Sequence, residues 1–462
     1  MTGYRTIALT VSTAVFMQFL DATALNTALP AMARDFHVPA VNLNVAILAY
    51  QLALAAFIPV GNIAADRWGA RNAFAASLFV FLTGSLLCAA SRSLPALVAA
   101  RAFQGLGGSV MMPISRQLVI RSAEKHELVS AMNWLLLPGI IGPLLGPVVG
   151  GLIVTYASWH WIFLINLPVA LIGIVATMLL VPNGDVRSSG KIDTKGVLLI
   201  AATIVCLIFG LEGLAHPHAG LESVALLLAG LAIGLVYVRH AAGNPDAALD
   251  LSLLRIGSFR HSAIAGTIMR TIIGAMGFLM PLWFQLAMGM NAAQSGMLSV
   301  AGTFGAMLSR PLSGLLIRRA HPRPISIAGA ACFVLTLLVI AMLMPEPRIL
   351  FAIMLLVQGL SVAIALIIIS AAAYVDVPSE RLGAATGLYT TIQQLTLSLG
   401  VTAGVWTIGV MRWLMHSGTA DGLTYRGSLV ILAALAATAV YAASKIDEES
   451  LAALRARREA GR

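Results

Sequence analysis

Charged side chains are scarce in this sequence. Only 10% of its 462 residues are Asp, Glu, Lys or Arg, whereas 59% are hydrophobic. Soluble proteins carry about 25% charged residues, and a chain with so few would expose large apolar patches to water. The composition therefore excludes a soluble enzyme and a disordered chain. It predicts an all-α integral membrane protein with many helices.

Cysteine is also scarce, and histidine is not clustered. Cys88, Cys206 and Cys332 lie in apolar runs, without the spacing of metal ligands or the density of a disulfide framework. The nine histidines are dispersed, and the sequence has no phosphate-binding Walker loop. We therefore predict no metal, no cofactor and no enzymatic activity, and the sequence offers no support for an ATP-driven pump.

Long apolar runs are abundant. A bilayer core about 30 Å thick requires roughly 20 apolar residues of α-helix. Charge clusters and Gly or Pro turns divide the chain into fourteen such segments, at residues 6–30, 41–64, 73–91, 94–118, 128–156, 160–182, 195–213, 221–239, 261–288, 292–316, 325–344, 349–374, 383–411 and 427–443.

The basic residues lie mainly on one side of these spans. Of the 29 Lys and Arg, 22 lie on the side of the two termini and two lie inside spans. The other five are on the opposite side: Arg34, Arg92, Arg348, Arg412 and Arg426. Because cytoplasmic loops are enriched in Lys and Arg, we predict that both termini are cytoplasmic. The net charge of +10 then reflects topology and not nucleic-acid binding.

The two halves of the chain resemble each other. A shift of 252 residues aligns the loop after the second span with a later loop, so that Arg67 matches Arg319 and Arg71 matches Arg323. We predict an N-terminal six-helix bundle at 1–182, an inserted two-helix linker at 183–257, a C-terminal six-helix bundle at 258–443 and a cytoplasmic tail at 444–462. Two repeated bundles around a midplane site indicate alternating access.

Two charged residues lie at matching depth in different spans. Asp21 is the one acid deep within a main span, and Arg101 lies at the same depth in the fourth. Gln18 and Gln104 lie one turn from Asp21 and Arg101, on the same helix faces. Burying a carboxylate in a membrane is costly, which favours a group that binds and releases a proton. The alternative is a permanent Asp–Arg clamp between the two helices.

Arg270 is the other cation within a span, and no acid lies at its depth in the main spans. Two interpretations are equally open. Its guanidinium either faces a substrate cavity and meets an anionic group, or extends to the cytoplasmic interface.

Six short motifs follow one another along the chain, at residues 20–30, 66–71, 101–107, 142–151, 159–168 and 281–289. Together they resemble the fourteen-span drug:proton antiporter branch of the major facilitator superfamily. The resemblance covers nearly the whole chain. It implies the major facilitator fold, with two six-helix bundles and two additional inserted helices.

The resemblance also implies a cytoplasmic gate between the second and third spans, formed by Asp66, Arg67, Gly69 and Arg71. These charges can pair across neighbouring helix ends and stabilise one access state. The alternative is an ordinary basic loop.

The fifth span resembles the antiporter motif, with Gly142, Gly146, Pro147, Gly150 and Gly151. The glycines allow a neighbouring helix to approach closely, and the prolines bend the span. Such a helix can seal a proton leak, or the glycines serve ordinary packing.

We expect a substrate cavity lined by polar side chains among apolar and Met surface: Gln18, Gln104, Asn133, Trp134, Arg270, Gln285, Gln393 and Gln394. Flexible Met surfaces adapt to varied ligands. The expected function is proton-coupled export of small lipophilic compounds across a bacterial inner membrane by alternating access. The proton gradient is the expected energy source, with Asp21 and Arg101 in proton coupling. The expected partners are a small-molecule substrate, protons and the bilayer, for a chain acting as a monomer. Alternatives are a narrow exporter of one metabolite, siderophore or antibiotic, a membrane enzyme, and a non-transporting sensor or scaffold.

Overall fold

Long helices account for nearly all of the structure. The computed structural model describes residues 3–124, 127–182, 193–214, 220–244, 247, 249–343, 348–416 and 420–446, and these ranges contain no β-strand. Parts of the predicted linker and most of the predicted tail, at 183–192, 215–219, 245–246, 248 and 447–462, lie outside the described residues. The predicted all-α fold class is confirmed.

The chain forms two compact units. The first comprises Met1–Gly210, Val224–Ala248 and Met290–Met297, and the second comprises Leu211–Ser223, Leu249–Gly289 and Leu298–Arg462. The predicted domain boundaries at 182/183 and 257/258 stay a prediction.

Helices of the first half begin near the N-terminus and continue to the inserted pair. Their bounds are α1 Tyr4–Phe36, α2 Asn44–Trp68, α3 Ala70–Ala89, α4 Leu94–Ser122, α5 Leu128–Tyr156, α6 Trp161–Leu164, α7 Asn166–Leu180, α8 Thr194–Leu214 and α9 Leu221–Ala242.

Helices of the second half follow a short 3-10 segment, Leu251–Arg255. Their bounds are α10 Gly257–Leu282, α11 Ala292–Arg319, α12 Pro322–Met342, α13 Arg348–Ala372, α14 Leu382–Leu414 and α15 Gly422–Ser444. A π-helical turn, Trp283–Ala287, follows α10 directly, and Pro281 lies in the last turn of α10.

The helices match the predicted spans in number. Within the described residues, thirteen helical segments are long and apolar enough to cross a membrane. The other predicted span is α4, which has 29 residues but is less apolar because it carries Arg101, Gln104 and Arg116. The sixth span is interrupted at Ile165, between α6 and α7.

The helix pairings of the first half recur in the second. In the first unit α1 packs on α5, and α3 packs on α4 and α7. In the second unit α10 packs on α14, and α12 packs on α13 and α15. Counted from the start of each half, these are the same pairs, which agrees with the predicted internal repeat.

Many large apolar side chains remain exposed on the outer helix faces. On α7, Leu171, Ile172 and Leu179 are 53%, 65% and 77% exposed. Apolar faces of this size are too large for a soluble monomer. They suit contact with lipid, as the composition predicts.

Candidate functional site

Asp21 and Arg101 form an ion pair inside the first unit. Arg101 Nη1 on α4 donates to Asp21 Oδ2 on α1 over 2.6 Å, and both residues are 1% exposed. The matching depths noted in the sequence therefore correspond to a direct contact. A buried pair of this kind is stable only if further hydrogen bonds satisfy its remaining polar atoms.

The second carboxylate oxygen of Asp21 has two further donors. Gln104 Nε2 on α4 donates to Oδ1 over 3.2 Å, and Asn166 Nδ2 on α7 donates to it over 3.0 Å. Both amides also donate to Ser85 Oγ on α3, over 2.7 and 3.2 Å. Four helices, α1, α3, α4 and α7, thus contribute to one polar network around the carboxylate.

Arg101 is held on two further sides. Its Nη1 also donates to Gln104 Oε1 over 2.5 Å. Its guanidinium carbon lies 4.2 Å from the Tyr50 ring centroid on α2 and 5.8 Å from that of Phe163 on α6. These aromatic faces attract the cation where water is excluded, so the guanidinium is fixed as well as paired.

Glycines on α4 allow the network to form. A Cβ at Gly105 would lie 2.6 Å from the Tyr50 carbonyl oxygen, and one at Gly107 would lie 2.5 Å from the Phe81 nitrogen. The backbones of α2 and α3 therefore approach α4 more closely than any larger residue permits. This approach brings Tyr50 and Ser85 within reach of Arg101 and Gln104.

The glycines of α5 pack against α1, the helix that carries Asp21. A Cβ at Gly142 would lie 3.0 Å from the Phe16 carbonyl oxygen, and one at Gly150 would lie 2.7 Å from that of Ala24. A Cβ at Gly146, between them, would overlap the Thr23 hydroxyl. α1 is therefore in close contact with α5 on both sides of Asp21 along the chain.

The remaining residues of the predicted antiporter motif lie in the same unbroken helix, α5. There Gly151 faces Ala292, and Pro147 faces Gly296.

The turn between α2 and α3 requires glycine. Gly69 has φ 79° and ψ 144°, a conformation that essentially only glycine adopts. Arg67 is exposed and Arg71 is partly buried at this turn. The Asp66 side chain, predicted as the acidic member of the gate, lies outside the described residues.

A second polar contact joins the end of α1 to the α5–α6 turn. Trp159 Nε1 donates to Asp35 Oδ2 over 2.9 Å. The Trp159 ring stacks on His160, with 3.6 Å between centroids. Partial burial lowers the pKa of His160, against an opposing effect of the Asp35 charge. This contact fixes the segment that precedes α7, the helix that carries Asn166.

Arg270 lies in the second unit, on α10. Its Nη2 donates to Ser370 Oγ on α13 over 2.9 Å, and its guanidinium carbon lies 5.4 Å from the Tyr389 ring centroid on α14. Tyr389 also donates to Ser370, over 3.2 Å. No carboxylate of the described residues forms an ion pair with Arg270. The guanidinium is half-buried and turned toward α13 and α14.

A family model described as the Major Facilitator Superfamily matches residues 11–401. The chain belongs to the major facilitator superfamily. The resemblance drawn from the six motifs is thereby confirmed.

Curated relatives of this superfamily align over most of the chain. The probable transport protein HsrA of Haemophilus influenzae is 35% identical over 412 residues, which cover 89% of each chain. The putative multidrug resistance protein MdtD of Cronobacter sakazakii is 33% identical over 451 residues, 96% of this chain and 95% of MdtD. The family and these relatives are transporters, so the chain is a transporter of small molecules and not an enzyme.

Solved major facilitator structures share the fold. A mutant of the nucleoside transporter NupG superposes with a TM-score of 0.68 at 13% identity, over 95% of this chain and 99% of its own. The xylose transporter XylE from E. coli superposes with a TM-score of 0.61 at 13% identity, over 96% and 97%. The predicted major facilitator fold is confirmed, and the protein is a multi-pass membrane protein.

The predicted cavity residues have different environments within the superfamily fold. Gln104 is fully buried and holds Asp21, whereas Asn133 is exposed. The partly buried members are Gln18, Trp134, Arg270, Gln285, Gln393 and Gln394. Their role in binding substrate stays a prediction.

Three residues of the site were not predicted from the sequence: Asn166, Ser85 and Tyr50. Asn166 was visible as an amide within an apolar span, and it lies in the motif at 159–168. Nothing in the sequence distinguished Ser85 and Tyr50 as site residues, because single serines and tyrosines are common in helices that cross membranes. Among the described residues, no group of three His, Cys, Asp or Glu is placed to hold a metal ion.

Proposed function

We propose that the chain is a proton-coupled antiporter that exports small lipophilic compounds across a bacterial inner membrane. One observation carries this proposal. Asp21 is a fully buried carboxylate with three donors, Arg101, Gln104 and Asn166, inside a membrane transporter. Relatives named as multidrug resistance proteins support the substrate class.

The Asp21 network has the chemistry of a proton site. In the outward-open state a proton from water binds the carboxylate and removes its attraction for Arg101, and substrate leaves. In the inward-open state substrate binds and the proton returns to water on the cytoplasmic side. Inward movement of one positive charge supplies about 2.3 kcal/mol per 100 mV of membrane potential.

The close contact between α5 and α1 supports coupling of the two movements. Because Gly142, Gly146 and Gly150 bring α5 into close contact with α1, protons have no separate path between these two helices. Asp66, Arg67 and Arg71 act as the cytoplasmic gate in this proposal, next to the sharp turn at Gly69.

Inverted membrane vesicles test the proposal with ethidium, a lipophilic cation, as the probe. We expect the unaltered chain to take up ethidium when the vesicle lumen is acidified, and Asp21→Asn to abolish this uptake. Asp35→Asn is the matched control, since it makes the same change at the end of the same helix and keeps an acceptor for Trp159. Proton-driven uptake by Asp21→Asn would reject Asp21 as the coupling residue and favour a permanent Asp21–Arg101 clamp.

A second candidate function is export of one anionic compound. Arg270 supports it, because its guanidinium meets Ser370 and Tyr389 but no carboxylate of the described residues. Benzoate and ethidium uptake, compared in the same vesicles, separate the candidates. Uptake of benzoate alone, lost in Arg270→Gln, would replace multidrug export by anion export.

The proposed orientation places both termini in the cytoplasm. The excess of Lys and Arg on the terminal side of the predicted spans supports it. A reporter enzyme that is active only in the cytoplasm, fused after Arg462, is expected to be active. Activity of a periplasm-only reporter at the same position would reverse the orientation.

A further inference from the structure

The two oxygens of the Asp21 carboxylate are held differently. Oδ2 accepts from Arg101 Nη1 over 2.6 Å. Oδ1 accepts from two neutral amides, Gln104 at 3.2 Å and Asn166 at 3.0 Å. Since the charged donor occupies Oδ2 and has the shorter bond, an arriving proton binds at Oδ1.

A protonated Oδ1 cannot keep both amide donors. Its new O–H needs an acceptor, and an N–H group that points at it provides none. One amide must therefore turn about its terminal torsion, exchanging its N–H₂ group for its carbonyl oxygen. The hydrogen bonds made by the two amide oxygens differ, and this difference decides which amide turns.

Gln104 is fixed in its present orientation. Its Oε1 accepts from Arg101 Nη1 over 2.5 Å and from the Cys88 thiol over 3.7 Å. Turning the amide would place its N–H₂ group against the guanidinium, two donors facing each other. Gln104 therefore remains a donor to Asp21 in both protonation states.

Asn166 is not fixed in this way. It is 1% exposed, and its Oδ1 is buried with no hydrogen-bond partner. Only the bonds from its Nδ2 to Asp21 and Ser85 hold the amide in place. Buried polar atoms without a partner are rare and call for an explanation.

We propose that Asn166 is a positioning residue that turns its side-chain amide when Asp21 takes up a proton, donating to the carboxylate and accepting from the carboxylic acid. The Ser85 hydroxyl follows the turn, since it can accept from Nδ2 and donate to Oδ1. In each protonation state, one atom of the Asn166 amide bonds to Asp21 and the other has no hydrogen-bond partner. The Asn166 amide therefore stabilises both states. This inference rests on the proposed function of Asp21 as the proton site.

The titratable and charged groups around Asp21 do not change the role assigned to Asn166. Arg101 from α4, Tyr50 from α2 and Cys88 from α3 are the titratable or charged groups that act on it. Arg101 stays protonated at any working pH. α5 faces α1 with glycines, and α7 contributes the Asn166 amide.

Infrared difference spectroscopy of the purified full-length chain, titrated with acid, tests the proposal. The carbonyl band of protonated Asp21 is identified by its absence in Asp21→Asn. In Asn166→Leu we expect its midpoint to move to higher pH, with about three- to tenfold tighter proton binding, because the charge-assisted bond lost by the carboxylate is stronger than the neutral bond lost by the acid. The band should also move to higher frequency as the acid loses its acceptor.

Asn44→Leu is the matched control, because Asn44 is a fully buried asparagine on a different helix, at the first residue of α2. We expect it to leave the midpoint unchanged. If Asn166→Leu does not fold, the unaltered chain with carbon-13 label in its asparagine side-chain carbonyl answers the same question. An asparagine carbonyl band that shifts at the Asp21 midpoint supports the turn.

Two results would overturn the inference while leaving the proposed function standing. One is an Asp21 band with the same midpoint and frequency in Asn166→Leu as in the unaltered chain. The other is an asparagine carbonyl that does not respond when Asp21 titrates. If no carboxyl band disappears in Asp21→Asn, the proposed function itself fails.

Discussion

The Arg101 guanidinium lies over the Tyr50 ring, with its carbon 4.2 Å from the ring centroid, while its Nη1 donates to both Asp21 and Gln104. A planar, delocalised cation is required to stack on a ring and bind two acceptors at once. In Arg101→Lys we therefore expect a folded protein with at least about tenfold slower ethidium uptake into acidified inverted vesicles.

Arg116→Lys is the control for this change, because it makes the same substitution on α4 without touching Asp21. Its uptake should match that of the unaltered chain. Normal uptake by Arg101→Lys would show that a positive charge near Asp21 is sufficient and that the stacked geometry is not needed.

Gly150 is predicted to be intolerant of a methyl group. A Cβ there would lie 2.7 Å from the Ala24 carbonyl oxygen and 2.8 Å from the Ala24 Cα, so α1 and α5 would have to separate. We expect Gly150→Ala to lower the free energy of unfolding by about 1–3 kcal/mol and to slow transport. Thermal unfolding of the purified protein measures the first effect.

Gly387→Ala on α14 is the matched control, since nothing lies within 4 Å of its added Cβ. It should be neutral or stabilising by about 0.5–1 kcal/mol, because alanine favours helix over glycine. Equal unfolding temperatures for both variants would contradict the close contact between α5 and α1.

Gly69 joins α2 to α3 in a conformation that no other residue adopts readily, at φ 79° and ψ 144°. In Gly69→Ala we expect strain of about 1–3 kcal/mol and a lower yield of folded protein, measured by fluorescence-detected size-exclusion chromatography. A yield equal to that of the unaltered chain would show that this turn adopts an ordinary conformation in the membrane.

The Asp250–Arg381 pair predicts a pH dependence of stability. Arg381 Nη2 donates to Asp250 Oδ2 over 2.6 Å. Partial burial raises the pKa of Asp250, but hydrogen bonds from Ser252 and Arg381 outweigh it and lower the pKa overall. The pair therefore stabilises the fold above the ordinary carboxyl value of about 3.9, and this stability is lost as the pH falls through the lower value in the folded state.

Unfolding temperatures of Asp250→Asn and of the unaltered chain test this dependence. Their difference should be constant between about pH 5 and 8 and should shrink below about pH 4. Arg381→Gln should behave like Asp250→Asn, since it breaks the same bond. A difference that grows as the pH falls would contradict the lowered pKa.

The sequence predicted the helices well because the membrane imposes their length. Fourteen apolar segments correspond to the long helices, and charge clusters mark their ends. Local irregularities were missed. The interruption at Ile165 and the π-helical turn at Trp283–Ala287 depend on how backbone groups find partners in the packed protein. Hydropathy does not contain that information.

The site could be predicted in part. Asp21 and Arg101 were identified because charge at a matching depth in two apolar spans is rare and costly. Gln104 was assigned to the cavity, although in the structure its fully buried side chain holds Asp21. Asn166 and Ser85 were missed because their roles arise from contacts between helices that lie 81 residues apart in the chain.

Proton release from the purified chain is the most direct test of the central claim, that Asp21 exchanges a proton for substrate. Ethidium is added to the protein in weakly buffered detergent solution, and a pH indicator dye reports released protons. If Asp21 exchanges a proton for substrate, proton release saturates with ethidium binding and is absent in Asp21→Asn. Equal release by Asp21→Asn, or ethidium binding by the unaltered chain without release, would contradict it.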